Sequence, residues 1–585
     1  MSAPRSYFGR LARYYGWFAG GFGAFLAALA LLEKEGMPRV WIGYLFMLAT
    51  ITLYAAIGVL SRTSNVTEYY VAGRRVPALF NGMATAADWI SAASFISLAG
   101  GLYLHGFDGL AYIMGWTGGY CLVALLIAPY LRKFAQYTIP DFLAARYGGG
   151  AGGRGGPVRV MAVAATIAVS FTYVVAQIYA VGLIASRFTG VDFSVGIFLG
   201  LASILVCSFL GGMRAITWTQ VAQYIIILVA FLIPTLWLSV KHADNPLPQV
   251  AYGAVLPKLA AREAAIERDP RELQVRAIFA QRAAVFEARI KQLPASWESG
   301  RLDAQRRLDA VRLRNAPLAE IRAAERALIA YPKSADDAAR QWSEARTANL
   351  ARALPPEPHA APFPGEDRAA SDIRRNNFLA LVFCLMFGTA ALPHILMRAY
   401  TTPSVDATRI SVFWTLFFIL LVYLCIPALA VLVKYDIYYK VVDPAASTQK
   451  RVTISKLLLL AVAFIAAYAA SQKPADILSM VGAAFSLAAS TLFPALVLGV
   501  FWKRANHAGA LAGMLAGLAV CVYYMFHTNP ILGGSAAGQW WHIAPISAGV
   551  FGVPAGLAVL VLVSLLTRAP GPLSDSLVDH VRAPE

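Results

Sequence analysis

Residues 81–95 read Asn81-Gly82-Met83-Ala84-Thr85-Ala86-Ala87-Asp88-Trp89-Ile90-Ser91-Ala92-Ala93-Ser94-Phe95. They sit inside an apolar run, 79–104, long enough to cross a bilayer, since about 20 helical residues span the hydrocarbon core. The middle of the run does not suit a plain lipid-facing helix, because small and hydroxyl residues crowd around a carboxylate. A charge at that depth costs at least about 2.5–3.5 kcal/mol on insertion scales. Asp88 is therefore expected to face a cavity, a cation or a proton path. The competing reading is an Asp bonded to neighbouring Ser or Thr within a bundle. Small residues also allow close helix packing, which accounts well for Ala92 and Ala93.

Working outward, twelve further apolar runs have spanning length: 14–32, 41–60, 110–131, 158–186, 192–211, 216–240, 377–400, 410–434, 453–471, 476–502, 508–527 and 543–567. Hydrophobic residues make up 58% of the 585 and charged residues 14%. A soluble domain carries about 25% charge, so the composition predicts an all-α polytopic membrane protein with about 13 transmembrane helices. No alternating strand pattern suggests a barrel. The five cysteines lie in apolar stretches without a C-x-x-C pair, which argues against a disulfide framework or a zinc site.

Charge is concentrated in one block. Residues 242–375 hold 22 Lys and Arg and 18 Asp and Glu, with apolar residues at helical spacing. This predicts a polar helical insertion. Elsewhere basic residues dominate the short loops, as the positive-inside rule requires, so no nucleic-acid partner is implied. Arg5, Arg10 and Arg13 place the N-terminus on the cytoplasmic side. Arg62, Arg74, Arg75, Arg132, Lys133, Arg146, Arg154 and Arg214 follow by parity, and 242–375 falls outside. Arg398 and Arg409 return to the cytoplasmic face. Parity then breaks: Lys440, Lys450, Arg451 and Lys456 ask for the inner side after a helix that ought to exit near Lys434. One crossing is missing near Tyr435–Lys440, or the charge bias fails there.

A second interruption occurs at Phe387-Gly388-Thr389-Ala390-Ala391-Leu392-Pro393-His394. Pro393 removes a backbone donor and frees carbonyls. His394 is read as a solute contact or as a satisfied interior histidine. Two interrupted helices in corresponding places point to a secondary transporter, where unwound carbonyls coordinate Na⁺. The candidate site read from the two interruptions is Asp88, Phe387, Gly388, Thr389 and His394. No H-E-x-x-H or G-x-S-x-G motif suggests an enzyme.

The segments Glu68-Tyr69-Tyr70-Val71-Ala72-Gly73-Arg74-Arg75, Ala87–Phe95, Tyr137-Thr138-Ile139-Pro140-Asp141-Phe142 and Leu392-Pro393-His394-Ile395-Leu396-Met397-Arg398 resemble the sodium:solute symporter family, in its acetate-permease-like branch. So do Phe485-Ser486-Leu487-Ala488-Ala489-Ser490, Phe493-Pro494-Ala495-Leu496 and Phe501-Trp502-Lys503-Arg504. The resemblance covers nearly the whole chain outside 242–375. It implies a LeuT-type inverted-repeat fold and Na⁺-coupled uptake of a small monocarboxylate such as acetate. It also implies Na⁺ held by main-chain oxygens, which fall on Ala87 and Ile90, with the side chains of Asp88, Ser91 and Ser94 facing solute or cation. The family completes that site with hydroxyls in an Ala-Leu-Ser-Thr-like run on the eighth core helix, and this sequence shows no such run.

The expected organisation is an N-terminal transmembrane half over 1–241 and an extracytoplasmic insertion over 242–375. A second repeat one helix short follows over 376–503, then two closing helices and a short tail over 504–585. The expected setting is the cytoplasmic membrane, with a carboxylate solute and the lipid bilayer as partners and a small partner subunit left open. Two functional readings stand: a Na⁺-coupled symporter, and a non-transporting sensor or degenerate permease on the same scaffold.

Overall fold

Apolar runs punctuated by Gly and Pro give helices wherever backbone bonds must close inside lipid, and the computed structural model is built of them. It describes residues 5–63, 65–134, 137–148, 156–190, 192–355, 358–365, 367–437, 477–529 and 534–582. The expected span 453–471, and the junction beyond Ile437, lie outside the described residues.

Among the described residues nine helices are long and apolar enough to cross a membrane, or ten if one bent pair counts as a span. The all-α class expected from the sequence holds. The count covers only the described residues, which leave out the expected span 453–471. The run 79–104 is split into short pieces at its polar centre. The runs 192–211 and 216–240 are two helices that meet at a break at Gly212 (φ 51°, ψ −141°) within Phe193–Ala243. Gly212 adopts a φ that side chains disfavour, and an added Cβ would lie 2.5 Å from the Tyr69 carbonyl.

In chain order, α1 (Arg5–Lys34) and α2 (Arg39–Leu60) precede the short α3 (Val66–Val71). The first interrupted helix follows as α4 (Ala78–Trp89) and α5 (Leu98–His105), with a π-turn at Ala93–Ser97 between them. Next come α6 (Leu110–Leu122), α7 (Ala128–Phe134), α8 (Ile139–Tyr147), α9 (Gly156–Thr189) and α10 (Phe193–Ala243).

The chain divides into two compact units. Residues 257–359 form one of them, built on the amphipathic helices α12 (Pro270–Lys291), α13 (Ala295–Leu313), α14 (Leu318–Ile329) and α15 (Ala335–Ala353), after α11 (Pro248–Glu267). Asp269 and Ser334 cap α12 and α15. Ala283, Leu308, Ala338 and Trp342 are buried within this unit, and Trp297 donates to the Pro332 carbonyl at 2.9 Å.

The other unit resumes with the second interrupted helix, α16 (Arg368–Thr389) and α17 (Pro393–Leu396), followed by a 3₁₀ turn at Met397–Thr401. These two pieces meet at 45°. Then come α18 (Val405–Tyr423), α19 (Ile426–Ile437), α20 (Ile477–Thr491), α21 (Phe493–Phe501), α22 (His507–Thr528), α23 (Gly549–Leu566) and α24 (Pro572–Arg582). Ile477–Phe501 is the span with the largest buried share, so α20 lies at the centre of the bundle, against both interruptions.

Candidate functional site: two broken helices and a buried ion pair

The first break is a redirection of backbone donors. In a continuous helix Ser91 N–H would reach Ala87 and Ala92 N–H would reach Asp88. Here Ile90 leaves the helical region (φ −77°, ψ 68°). Ser91 N–H turns to the Trp89 carbonyl at 2.8 Å, and Ala92 N–H is taken by Gln177 Oε1 at 3.0 Å. The carbonyls of Ala87 and Asp88 thereby lose their usual donors.

Asp88 is held from two other helices. Arg398 Nε donates to its carboxylate at 2.5 Å, and Gln220 Nε2 donates to the other oxygen. Arg398 Nη1 also donates to Thr217 Oγ1 at 2.9 Å. The Arg398 side chain is 3% exposed and that of Asp88 17%. Charge parity gives Arg398 a side of the membrane but no partner; the structure buries it in the 3₁₀ turn after α17. The reason is electrostatic: a carboxylate at membrane depth needs a partner, and the turn after Pro393 carries Arg398 back to it.

A small cavity lies between the breaks, with ≈ 10 Å³ of room for the centre of a water-sized sphere, enough for about one water. Of the expected residues, Asp88, Ser91, Ser94 and His394 line it. Its remaining walls are mainly aromatic and aliphatic, including Trp89, Trp116, Tyr173 and Phe485. The Tyr173 and His394 rings meet at 4.9 Å, tilted by 36°, and Ser94 Oγ is 2.8 Å from the Tyr423 hydroxyl.

The other expected residues sit elsewhere. Phe387 packs on Phe383 at 4.4 Å and Phe493 at 4.6 Å. Gly388 lets α16 approach α20, where a Cβ would lie 2.4 Å from the Phe485 carbonyl. Thr389 is fully buried. Ala87 and Ile90 do not line the cavity; their part in the break is through the main chain. Sequence reasoning missed Gln177, Gln220, Tyr173 and the pairing of Arg398. The lone Gln177 within the run 158–186, and Gln220 with Gln223 within 216–240, were signals that could have found the first two, because an amide in lipid also needs partners.

A second cavity of the same size shares Ile395 with the first and is lined by Asn81, Thr85, Tyr120, Arg398, Thr408 and Ser411 among others. Asn81 ties it together: its amide nitrogen donates to Ser411 Oγ at 2.8 Å, and its amide oxygen accepts from Thr401 at 2.7 Å.

The description of the sodium:solute symporter family matches residues 69–243 and 426–517. An uncharacterized symporter of Cupriavidus necator is 46% identical over 98% of both chains. The chain belongs to the sodium:solute symporter family. A monocarboxylic acid transporter of Corynebacterium glutamicum is 23% identical over 90% of this chain and 92% of its own. A Na⁺-coupled sialic acid symporter, solved substrate-bound and outward-open, aligns with a TM-score of 0.45 and 17% identity, covering 90% of this chain and 98% of that one. The family member described here is thus a multi-pass membrane protein of a class that couples solute transport to Na⁺. The alignment with the Cupriavidus symporter runs to 671 positions against 585 residues here. That relative therefore has stretches without a counterpart in this chain.

Proposed function

We propose that the chain imports a short monocarboxylate such as acetate together with Na⁺ across the cytoplasmic membrane, by alternating access around the two breaks. The observation that carries the reading is the ion pair at the first break. With Asp88 paired to Arg398, the cavity has no net charge to hold a free carboxylate. A buried unpaired anion costs several kcal/mol. A Na⁺ at the redirected carbonyls, with Ala87 and Ile90 as its main-chain ligands, offsets that charge, so solute and ion enter together. Ser91, Ser94 and His394 would then meet the solute's oxygens, and the aromatic walls exclude water. Phe387, Gly388 and Thr389 would serve the hinge of the second break. The name of the Corynebacterium relative supports a monocarboxylate.

A second reading keeps the scaffold without transport. It is favoured by the stretches of the Cupriavidus relative that this chain lacks and by the missing Ser/Thr run. One experiment separates the two: uptake of labelled acetate into proteoliposomes under a Na⁺ gradient, a proton gradient, or neither. Na⁺-driven accumulation that Asp88→Asn abolishes supports the symporter. Binding without accumulation selects the second reading, and uptake indifferent to both gradients rejects coupling.

A further inference from the structure

The two cavities share Ile395 as a wall. Asp88 lines the first and Arg398 lines the second. The Asp88–Arg398 pair, at 2.5 Å, links a wall residue of one to a wall residue of the other.

Arg398 is not fully used by this contact. Its Nε is on Asp88 and its Nη1 on Thr217, while Nη2 has no hydrogen-bond partner among the described residues. The second cavity carries hydroxyl and amide groups from Asn81, Thr85, Tyr120, Thr408 and Ser411, and no Asp or Glu lines it. An arginine at the wall of a pocket with polar groups and no acidic residues suits a carboxylate, because the planar fork matches two carboxylate oxygens.

We propose that this second cavity is a transit subsite for the solute carboxylate, with Arg398 as its anchor. The inference rests on the monocarboxylate reading above and adds to it a step: the solute's carboxylate displaces Asp88 on the guanidinium as it passes the pair. Asp88 is left with Gln220 and the co-transported cation, so no buried carboxylate is stranded at any stage. In the closed state the cavity has ≈ 10 Å³ of room for the centre of a water-sized sphere, so the anion enters only as the pair opens. Pair opening and solute passage are then one event, which prevents a leak.

The test uses the full chain in proteoliposomes under a Na⁺ gradient with labelled acetate. Arg398→Lys keeps a positive charge beside Asp88 and removes the fork. Losing a charge-assisted hydrogen bond predicts acetate uptake slower by at least about tenfold, with the half-saturating Na⁺ concentration unchanged. Unchanged acetate uptake overturns the proposal, since a lysine would then suffice. Loss of uptake together with a shifted Na⁺ response also overturns it, because Arg398 would then serve only the ion site.

Thr85→Val alters the second cavity without touching the pair. It is expected to slow uptake several-fold while Na⁺-dependent acetate binding stays at the parent level. Wild-type uptake in this variant overturns the proposal even if Arg398→Lys does not fold. If the parent chain itself accumulates no short monocarboxylate, the functional reading fails first and takes this subsite with it.

Discussion

The two breaks solve the same problem with opposite materials. At the first, around Ile90, the freed donors go to side chains and to unusual carbonyls: Ala92 to Gln177, Ser91 to Trp89. Polar groups converge on it from α9, α10 and the turn after α17. At the second, Ala391 and Leu392 fall back on carbonyls three residues earlier, at 3.0 and 3.3 Å. Pro393, with no N–H, completes it. Ala390, Ala391 and Leu392 are all buried and apolar. The first break keeps oxygen atoms available; the second closes its own bonds and gives direction. It turns the chain by 45° and so delivers Arg398 to Asp88. One break is the ligand-bearing element, and the other aims a cation at it.

The largest expected effect breaks that relation outright. Arg398→Ala leaves Asp88 buried without its charge partner, which costs about 3–5 kcal/mol where such pairs are truncated. Thermal unfolding in detergent should show a large drop, and Na⁺-driven uptake should vanish. The double variant Asp88→Asn with Arg398→Gln should recover much of the stability without the uptake. An Arg398→Ala protein as stable as the parent would mean that water, not protein, surrounds the pair.

Gln177→Ala tests the first break alone. It leaves the Ala92 N–H without an acceptor in a half-buried place, at a cost of about 1–3 kcal/mol. Hydrogen exchange at Ala92 should accelerate, and uptake should fall while the second break is unchanged. Pro393→Ala is the matching change at the second break. It returns a backbone donor and adds freedom to the unfolded chain, so stability should move by only about 0.4–1 kcal/mol. Its effect should appear in transport rate, through the angle at which Arg398 is presented. If Pro393→Ala destabilises more than Gln177→Ala, the contrast between the two breaks is wrong.

The existence of both breaks was legible in the sequence, because each carries a local signature: a carboxylate among small residues, and a proline inside an apolar run. The partners were not. Asp88 and Arg398 are 310 positions apart, and nothing local to Arg398 marks it as buried. A charge count gives an Arg near a helix end a side of the membrane, and says nothing of what it touches. The physical demand that buried Asp88 be neutralised calls for a cation, but it does not say which one answers it. Phe387 and Gly388 illustrate the reverse limit. Their position beside a break was readable, but helical phase near a proline is not, and they turned out to pack on Phe493 and Phe485.

The smallest effect concerns an ion pair outside the breaks and shows what burial adds. Glu68 accepts from Thr63 at 2.7 Å and from Arg214 at 2.6 Å. The Thr63 hydroxyl, and then the Arg214 guanidinium, hold its carboxyl below the ordinary carboxylate range. Both charged side chains are about one-third exposed, so solvent screens the pair and its contribution is small. The sign is fixed by linkage. The unfolded carboxyl binds a proton at higher pH than the folded one. The stabilisation is therefore fully present above the ordinary carboxylate pKa and is lost as pH falls through the lowered value. Unfolding followed from pH 8 downward should show no Glu68-dependent change until acid pH, and Glu68→Gln should remove that acid-limb difference. Raising salt should shrink it too, since exposed charges are screened over about 10 Å at 0.1 M. The Asp88–Arg398 pair, shielded from bulk solvent, should respond much less to the same salt. Equal salt sensitivity in the two pairs would remove the ground for assigning the transport step to the buried one.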